Sequence, residues 1–172
     1  MTSTLPEVAH PTQVRRARDV RRVGLALLFV FLLAGGTGLL GTRTGETSAT
    51  SGDWSIVVTH PTWSRAGHAV RLEFEVRHRG GFDPARPVRV RFLSSYFDLF
   101  DENAFTPAPD KETSDDRYTV DEFTAPGGEV LLISVDTRIE PARQRGEAGE
   151  VAVLDEQGRV LVQASFRTRL LP

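Results

Sequence analysis

An all-β sandwich of two packed antiparallel sheets, preceded by one transmembrane α-helix, is the fold class the sequence predicts. Three observations predict it. An uncharged run of 18 residues, Val23 to Leu40, follows a cluster of arginines. Beyond it, short segments alternate apolar and polar residues between Gly and Pro turns. No stretch after residue 53 reads as a convincing helix, so the strands must bury their apolar faces against one another.

The apolar run, "VGLALLFVFLLAGGTGLL", comes first in the chain. At 1.5 Å per residue it makes a helix roughly 27 Å long, close to the hydrocarbon thickness of a bilayer. A core helix of a soluble protein would keep a polar face, and this run has none. Arg15, Arg16, Arg18, Arg21 and Arg22 precede it and only Arg43 follows soon after. By the positive-inside rule the N-terminus is then cytoplasmic and the remainder extracytoplasmic, which makes this a single-pass protein of the cell membrane. A cleaved signal peptide ending near Ala49 is the weaker alternative, because its n-region is long and Thr47 and Ala49 make a poor cleavage site. The expected organisation is a cytoplasmic Arg-rich tail over 1–22, a signal-anchor helix over 23–41, a flexible linker over 42–52 and a folded domain over 53–172. Ala34 with Gly38, and Thr37 with Gly41, put small residues four apart, the spacing through which two such helices form a homodimer. The linker, rich in Gly, Ser and Thr, spans on the order of 20 Å as a coil.

In the folded part, Val70, Leu72, Phe74 and Val76 alternate with Arg71, Glu73, Glu75 and Arg77, the period of a half-buried strand. "PVRVRF" repeats the pattern with Val88, Val90 and Phe92 inward. "WSIVVTH", ended by Pro61, reads as a strand, as do "RYTVDEF", "EVLLISVDTRI", "GEVAVLD" and "RVLVQASFRTRL". The last two are joined through Asp155-Glu156-Gln157-Gly158, a hairpin turn with glycine where positive φ is needed. Seven such strands in about 120 residues predict a seven-stranded immunoglobulin-like antiparallel β-sandwich.

The 172 residues carry a formal net charge of −2. Five arginines against Glu7 and Asp19 give the first 22 residues +3, which leaves −5 for the rest. The absence of cysteine excludes disulfides, a thiol nucleophile and thiolate metal sites. His60, His68 and His78 show no zinc-ligand spacing, and no phosphate-binding, dinucleotide or nucleophile-elbow motif occurs. No cofactor is expected, and no catalysis. Arg71, Arg77, Arg79, Arg86, Arg89 and Arg91 gather on two neighbouring strands, but Glu73 and Glu75 interleave with them on an acidic domain, which argues against nucleic acid.

The most unusual stretch is "RFLSSYFDLFDENAFTPAPDKETSDD", Arg91 to Asp116. Nine acids against Lys111 and Arg117 give Asp98 to Glu122 a net −7, without which the part after the first 22 residues would be +2. Phe92, Tyr96, Phe97, Phe100 and Phe105 are five of the chain's twelve Phe and Tyr. Their spacing fits a strand to Leu93 followed by an irregular or one-turn helical excursion, and then an acidic, proline-stiffened loop. Tyr96, Phe97, Phe100 and Phe105 are the candidate binding residues, unless they cap the core. Asp98, Asp101, Glu102 and Asn103 are a candidate calcium set, since hard cations take several carboxylate and amide oxygens.

"AGHAVRLEFEVRHRG", followed by "TAPGGEVLLISV", resembles the bacterial adhesion-related immunoglobulin-like modules of the CARDB type. Ala66-Gly67, Val76 to Gly80 and Pro126-Gly127-Gly128-Glu129 stand where those modules have a Gly turn, a Val-x-Asn-x-Gly strand end and a Pro-Gly turn. His78 stands where the Asn is usual. The resemblance implies a display or binding module and not a catalyst. The expected function is therefore a membrane-anchored extracytoplasmic module that binds or assists another membrane or envelope protein. A carbohydrate or wall-polymer binder and a calcium-dependent adhesion module are the alternatives.

Overall fold

The computed structural model describes residues 11–36 and 42–171. The chain divides into two units, Met1–Gly41 and Thr42–Pro172. In the first, helix α1 runs over Pro11–Gly36. Proline suits the start of a helix, where its missing N–H has no partner to lose. The helix thus begins inside the stretch expected as a tail, and Arg15 to Arg22 lie on it. Every described side chain from Arg18 to Leu33 is exposed. Among the described residues no helix is long and apolar enough to cross a membrane. Residues 37–40, which complete the apolar run, lie outside the described residues. So do Thr37, Gly38 and Gly41 of the expected dimer stripe, together with the side chain of Ala34.

The second unit is a sandwich of two sheets built from eleven strands. They are β1 (Arg43–Ser51), β2 (Trp54–Arg65), β3 (Ala69–His78), β4 (Val88–Leu93), β5 (Phe100–Thr106), β6 (Lys111–Ser114), β7 (Tyr118–Phe123), β8 (Val130–Ile139), β9 (Ala148–Leu154), β10 (Val160–Arg167) and β11 (Arg169–Leu171), with a one-turn helix α2 at Ser94–Phe97. One sheet runs β1-β2-β3-β8-β5, with β11 also on β2, and the other β10-β9-β4-β7-β6. Every pairing is antiparallel except that of β11 with β2.

The seven expected strands are β2, β3, β4, β7, β8, β9 and β10. Four others add to them, and each lacks an apolar alternation. The stretch 42–52, expected as a flexible linker, holds β1, which pairs with β2 from Arg43↔Trp63 to Ser51↔Trp54. Thr44, Thr47 and Thr50 supply the β-branched side chains that favour extended backbone. Pro61 does not end β2, because it pairs with Thr44 next to a register shift where a missing N–H is tolerated. The acidic stretch expected as one loop from Thr106 to Asp116 contains the end of β5 and all of β6.

The core lies between the sheets. Leu72, Phe74 and Val76 of β3 meet Val88, Val90 and Phe92 of β4, and Ile133, Val135 and Ile139 of β8 join Val151 and Val153 of β9. Alternate residues of each strand point to one face, so the apolar set fills the interior and the charged set meets water. The two ends of the sandwich differ. At the entry end, Arg43 and Arg169 both lie opposite Trp63. At the far end, Trp54 lies opposite Ser51 on one side and His78 on the other.

Candidate functional site

The aromatic excursion closes the entry end. Strand β4 stops at Leu93 and α2 turns the chain, as the spacing of Phe92, Tyr96, Phe97 and Phe100 predicts. Tyr96 is 1% exposed and Phe100 7%, while Phe97 and Phe105 are half-buried and packed on the core. The Tyr96 ring meets Phe166 at 4.9 Å and Phe100 at 5.4 Å between centroids, and Phe92 meets Phe97 at 5.6 Å. These are edge-to-face contacts of the kind that stabilise aromatic clusters. The Tyr96 hydroxyl lies 2.8 Å from Thr168 Oγ1, which in turn donates to the Pro61 carbonyl at 2.7 Å. Since the Thr168 proton goes to Pro61, the Tyr96 hydroxyl is the donor to Thr168. Burial pushes the Tyr96 hydroxyl well above its usual range, so it stays protonated and donating. The candidate binding rings are thus turned inward: they cap the core and offer a partner little area.

The acids nearby do not gather. Asp101 is held by Arg138 through contacts of 2.9 and 3.1 Å, and Glu102 stands 3.9 Å from the same guanidinium. Asp98 is exposed and its backbone carbonyl accepts from Arg143. Asn103 lies exposed opposite Thr137. Among the described residues no group of three or more His, Asp or Glu is placed to hold a metal ion. The set Asp98, Asp101, Glu102 and Asn103 is therefore not a formed calcium site: its central carboxylate is spent on an arginine.

The arginines of β3, β4 and the loop between them are likewise partnered. Arg71 pairs with Asp136 at 2.7 Å, Arg91 with Glu150 at 3.0 Å and Arg89 with Glu122 at 3.5 Å. Arg77 holds Glu75, and Arg79 stands 4.0 Å from Asp53. Arg91 also covers the Tyr118 ring at 4.1 Å. Since β3 and β4 lie in different sheets, these arginines do not gather as neighbouring strands would place them: they are split between the two outer faces, each paired with carboxylates.

A groove of about 470 Å³ opens at the far end. Its floor is the top of the core, Val88, Val153 and Leu154, and Trp54, His78 and Phe82 form one wall. The Trp54 and His78 rings stack at 4.1 Å, and Phe82 meets Trp54 edge-on at 5.8 Å. The wall is fixed by a turn. His78 Nδ1 lies 2.6 Å from the Gly81 carbonyl, which can only accept, so that nitrogen is the donor. Gly80 and Gly81 supply the positive φ this turn requires, 91° and 88°. The imidazole thereby ties down the turn. The opposite wall is the β9–β10 hairpin, whose Asp155 carboxylate accepts the backbone N–H groups of Gln157 and Arg159 at 2.9 and 2.8 Å. Those bonds, led in cause by burial working against them, leave the Asp155 carboxyl below its ordinary range. Arg86 spans the mouth, 3.1 Å from Asp83 and 2.8 Å from Glu156.

Sequence reasoning missed this site because its residues come from separate segments. The one local signal is "GGFDPARPV", a loop that keeps a large aromatic, Phe82, between turn residues.

No known protein family matches the chain, and no curated protein does. A solved structure described as "AvmM Catalyzes Macrocyclization in Alchivemycin A Biosynthesis" is similar over 76% of this chain and 92% of that one, at 15% identity and a TM-score of 0.34. That likeness is too slight to carry an argument about fold or activity.

Proposed function

We propose that the chain is a single-pass membrane protein that displays one immunoglobulin-like module outside the cell membrane and acts by binding, without catalysis. The observation that carries the reading is the exposure of apolar side chains all round α1 from Val23 to Leu33. Leu25, Phe29, Phe31 and Leu33 are 57, 62, 66 and 52% exposed, a surface that water does not tolerate and a bilayer does. The uncharged run continues to Leu40, and the arginines on its N-terminal side orient it N-in.

The strand order supports the immunoglobulin-like part. The run β2-β3-β8-β5 against β10-β9-β4 follows the ABED and GFC arrangement of such sandwiches. Strands β1, β6, β7 and β11 are additions to it, and the resemblance to CARDB-type modules fits the same plan. With the rings of Tyr96, Phe97 and Phe100 turned inward, the binding end is the far-end groove, opposite to where the chain enters the sandwich. An envelope component is the partner class, since a domain joined closely to its anchor samples mainly what lies near the membrane.

The test is carbonate extraction of membranes from cells making the full chain, with protease added to intact spheroplasts. We expect the protein to stay in the membrane pellet and its C-terminal domain to be cut while the N-terminus is protected. Release by carbonate, or protection of the C-terminal domain, overturns the reading.

A further inference from the structure

We infer that the far-end groove is a site for a neutral oligosaccharide, which passes over the Trp54–His78 pair. The inference rests on the reading of that groove as the binding end. The floor and wall are apolar and aromatic, so the ligand needs an apolar face. An aromatic ring carries negative charge density on its face, and the polarised C–H groups on one side of a pyranose ring complement it. At about 470 Å³ the groove lies in the range that holds a small molecule, about 300–1,000 Å³.

The rim decides against a charged ligand. Arg86 is engaged by Asp83 and Glu156, and Arg159 by Asp155 at 2.6 Å. The lining balances Asp83, Asp155 and Glu156 against Arg86, Arg89 and Arg159, so it offers neither an anion nor a cation a net opposite charge. A hydroxyl group donates and accepts at once. It can bridge a carboxylate and a guanidinium without separating them, and the Gln157 amide adds both functions beside them. The rim thus fits many hydroxyls and no net charge.

The length of the ligand follows from a second depression. A smaller hollow of about 200 Å³, lined by Thr50, Asp53, Arg79 and Glu129, shares residues with the groove. Trp54 and His78 line both hollows, so the two meet at this pair. A single sugar would occupy one side. A short linear chain that passes over the shared pair uses both, so a tetrasaccharide should bind more tightly than its monomer.

The chain has two tryptophans, and Trp63 lies at the entry end. The variant W63F therefore leaves Trp54 as the sole emitter. The full chain carrying W63F, held in a sugar-free detergent, is titrated to millimolar levels with tetramers of β-linked glucose, α-linked glucose and β-linked N-acetylglucosamine, with their monomers, and with tetragalacturonate. We expect at least one neutral tetramer to shift Trp54 emission, its monomer to bind more weakly and tetragalacturonate to do nothing. Adding E156A, an exposed rim change that leaves the core intact, should weaken the neutral tetramer about tenfold. Silence from every neutral tetramer, a response to tetragalacturonate alone, or binding unchanged by E156A overturns the inference. A carbonate-resistant, correctly oriented protein that ignores every saccharide sinks this inference and leaves the display module standing. A saccharide response in a protein that carbonate releases does the reverse.

Discussion

Thr168 is the residue on which the entry end turns. It receives the Tyr96 hydroxyl and passes its own proton to the Pro61 carbonyl, so three segments far apart in sequence meet at one buried oxygen. Removing Tyr96's hydroxyl in Y96F deletes one donor and leaves Thr168 paired with Pro61, a loss of about 1 kcal/mol. T168V strands the Tyr96 hydroxyl and leaves the Pro61 carbonyl only the His60 Nδ1 contact at 3.3 Å, and should cost about 2–3 kcal/mol. Equal losses in urea unfolding would refute the relay. Room for the Tyr96 ring comes from Gly149. A Cβ there would lie 2.5 Å from Phe166 Cε2 and 3.0 Å from Tyr96 Cδ2, both in buried rings. G149A should therefore destabilise by about 1–3 kcal/mol, and a neutral result would mean the end is looser than its packing shows. The helical spacing from Phe92 to Phe100 is readable in the sequence, but the direction of the rings is not. That direction depends on a glycine some fifty positions later and on a threonine beyond it.

At the scale of elements, legibility followed burial. Strands β3, β4 and β8 bury alternate residues, and a period of two in the sequence is the imprint of that burial. Strands β1, β5 and β6 are held mainly by backbone hydrogen bonds and leave most side chains in water, and β11 is only three residues long, so no imprint exists. Three of the four sheet edges, β1, β5 and β6, are such strands, with β10 the fourth, and the β5 and β6 edges are blunted. Lys111 and Glu112 charge β6, Asp101 and Glu102 charge β5, and Asp121 points inward directly behind β6. The groove shares the difficulty of the edge strands, since Trp54, Phe82, Arg86 and Glu156 carry no common pattern. Hydrogen exchange should rank the strands accordingly. Amides of β6, exposed along its whole length, should exchange first, and those of β3, paired on both sides, last. Protection of β6 equal to that of β3 would refute the ranking.

For the molecule as a whole, two buried titrating groups set the pH range of stability. Burial, with a smaller push from Glu112, raises Asp121 to about 6, and its Oδ1 has no hydrogen-bond partner. The folded state then binds this proton more tightly than the unfolded chain, so stability falls as pH rises from about 4 to about 6 and stays lower above. His60 works oppositely. Burial lowers it, against a contact with the Pro61 carbonyl, so its contribution is present above the ordinary histidine range and is lost as pH falls through it. D121N should therefore melt higher than the parent at about pH 7.5, by on the order of 2–3 kcal/mol, and gain nothing at about pH 4. A variant that melts lower at both values would mean the carboxylate has a partner at neutral pH. A last consequence follows from strand β1, which begins beside β11 at one end of the sandwich and finishes beside Trp54 at the other. Tension applied between residue 43 and the Arg86 rim acts along the strand and loads its pairing with β2 in shear, every rung at once. Tension between residues 43 and 171 acts at one end and opens the same rungs one by one. A single-molecule stretch should find the first geometry the stronger, and equal rupture forces would refute the shear reading.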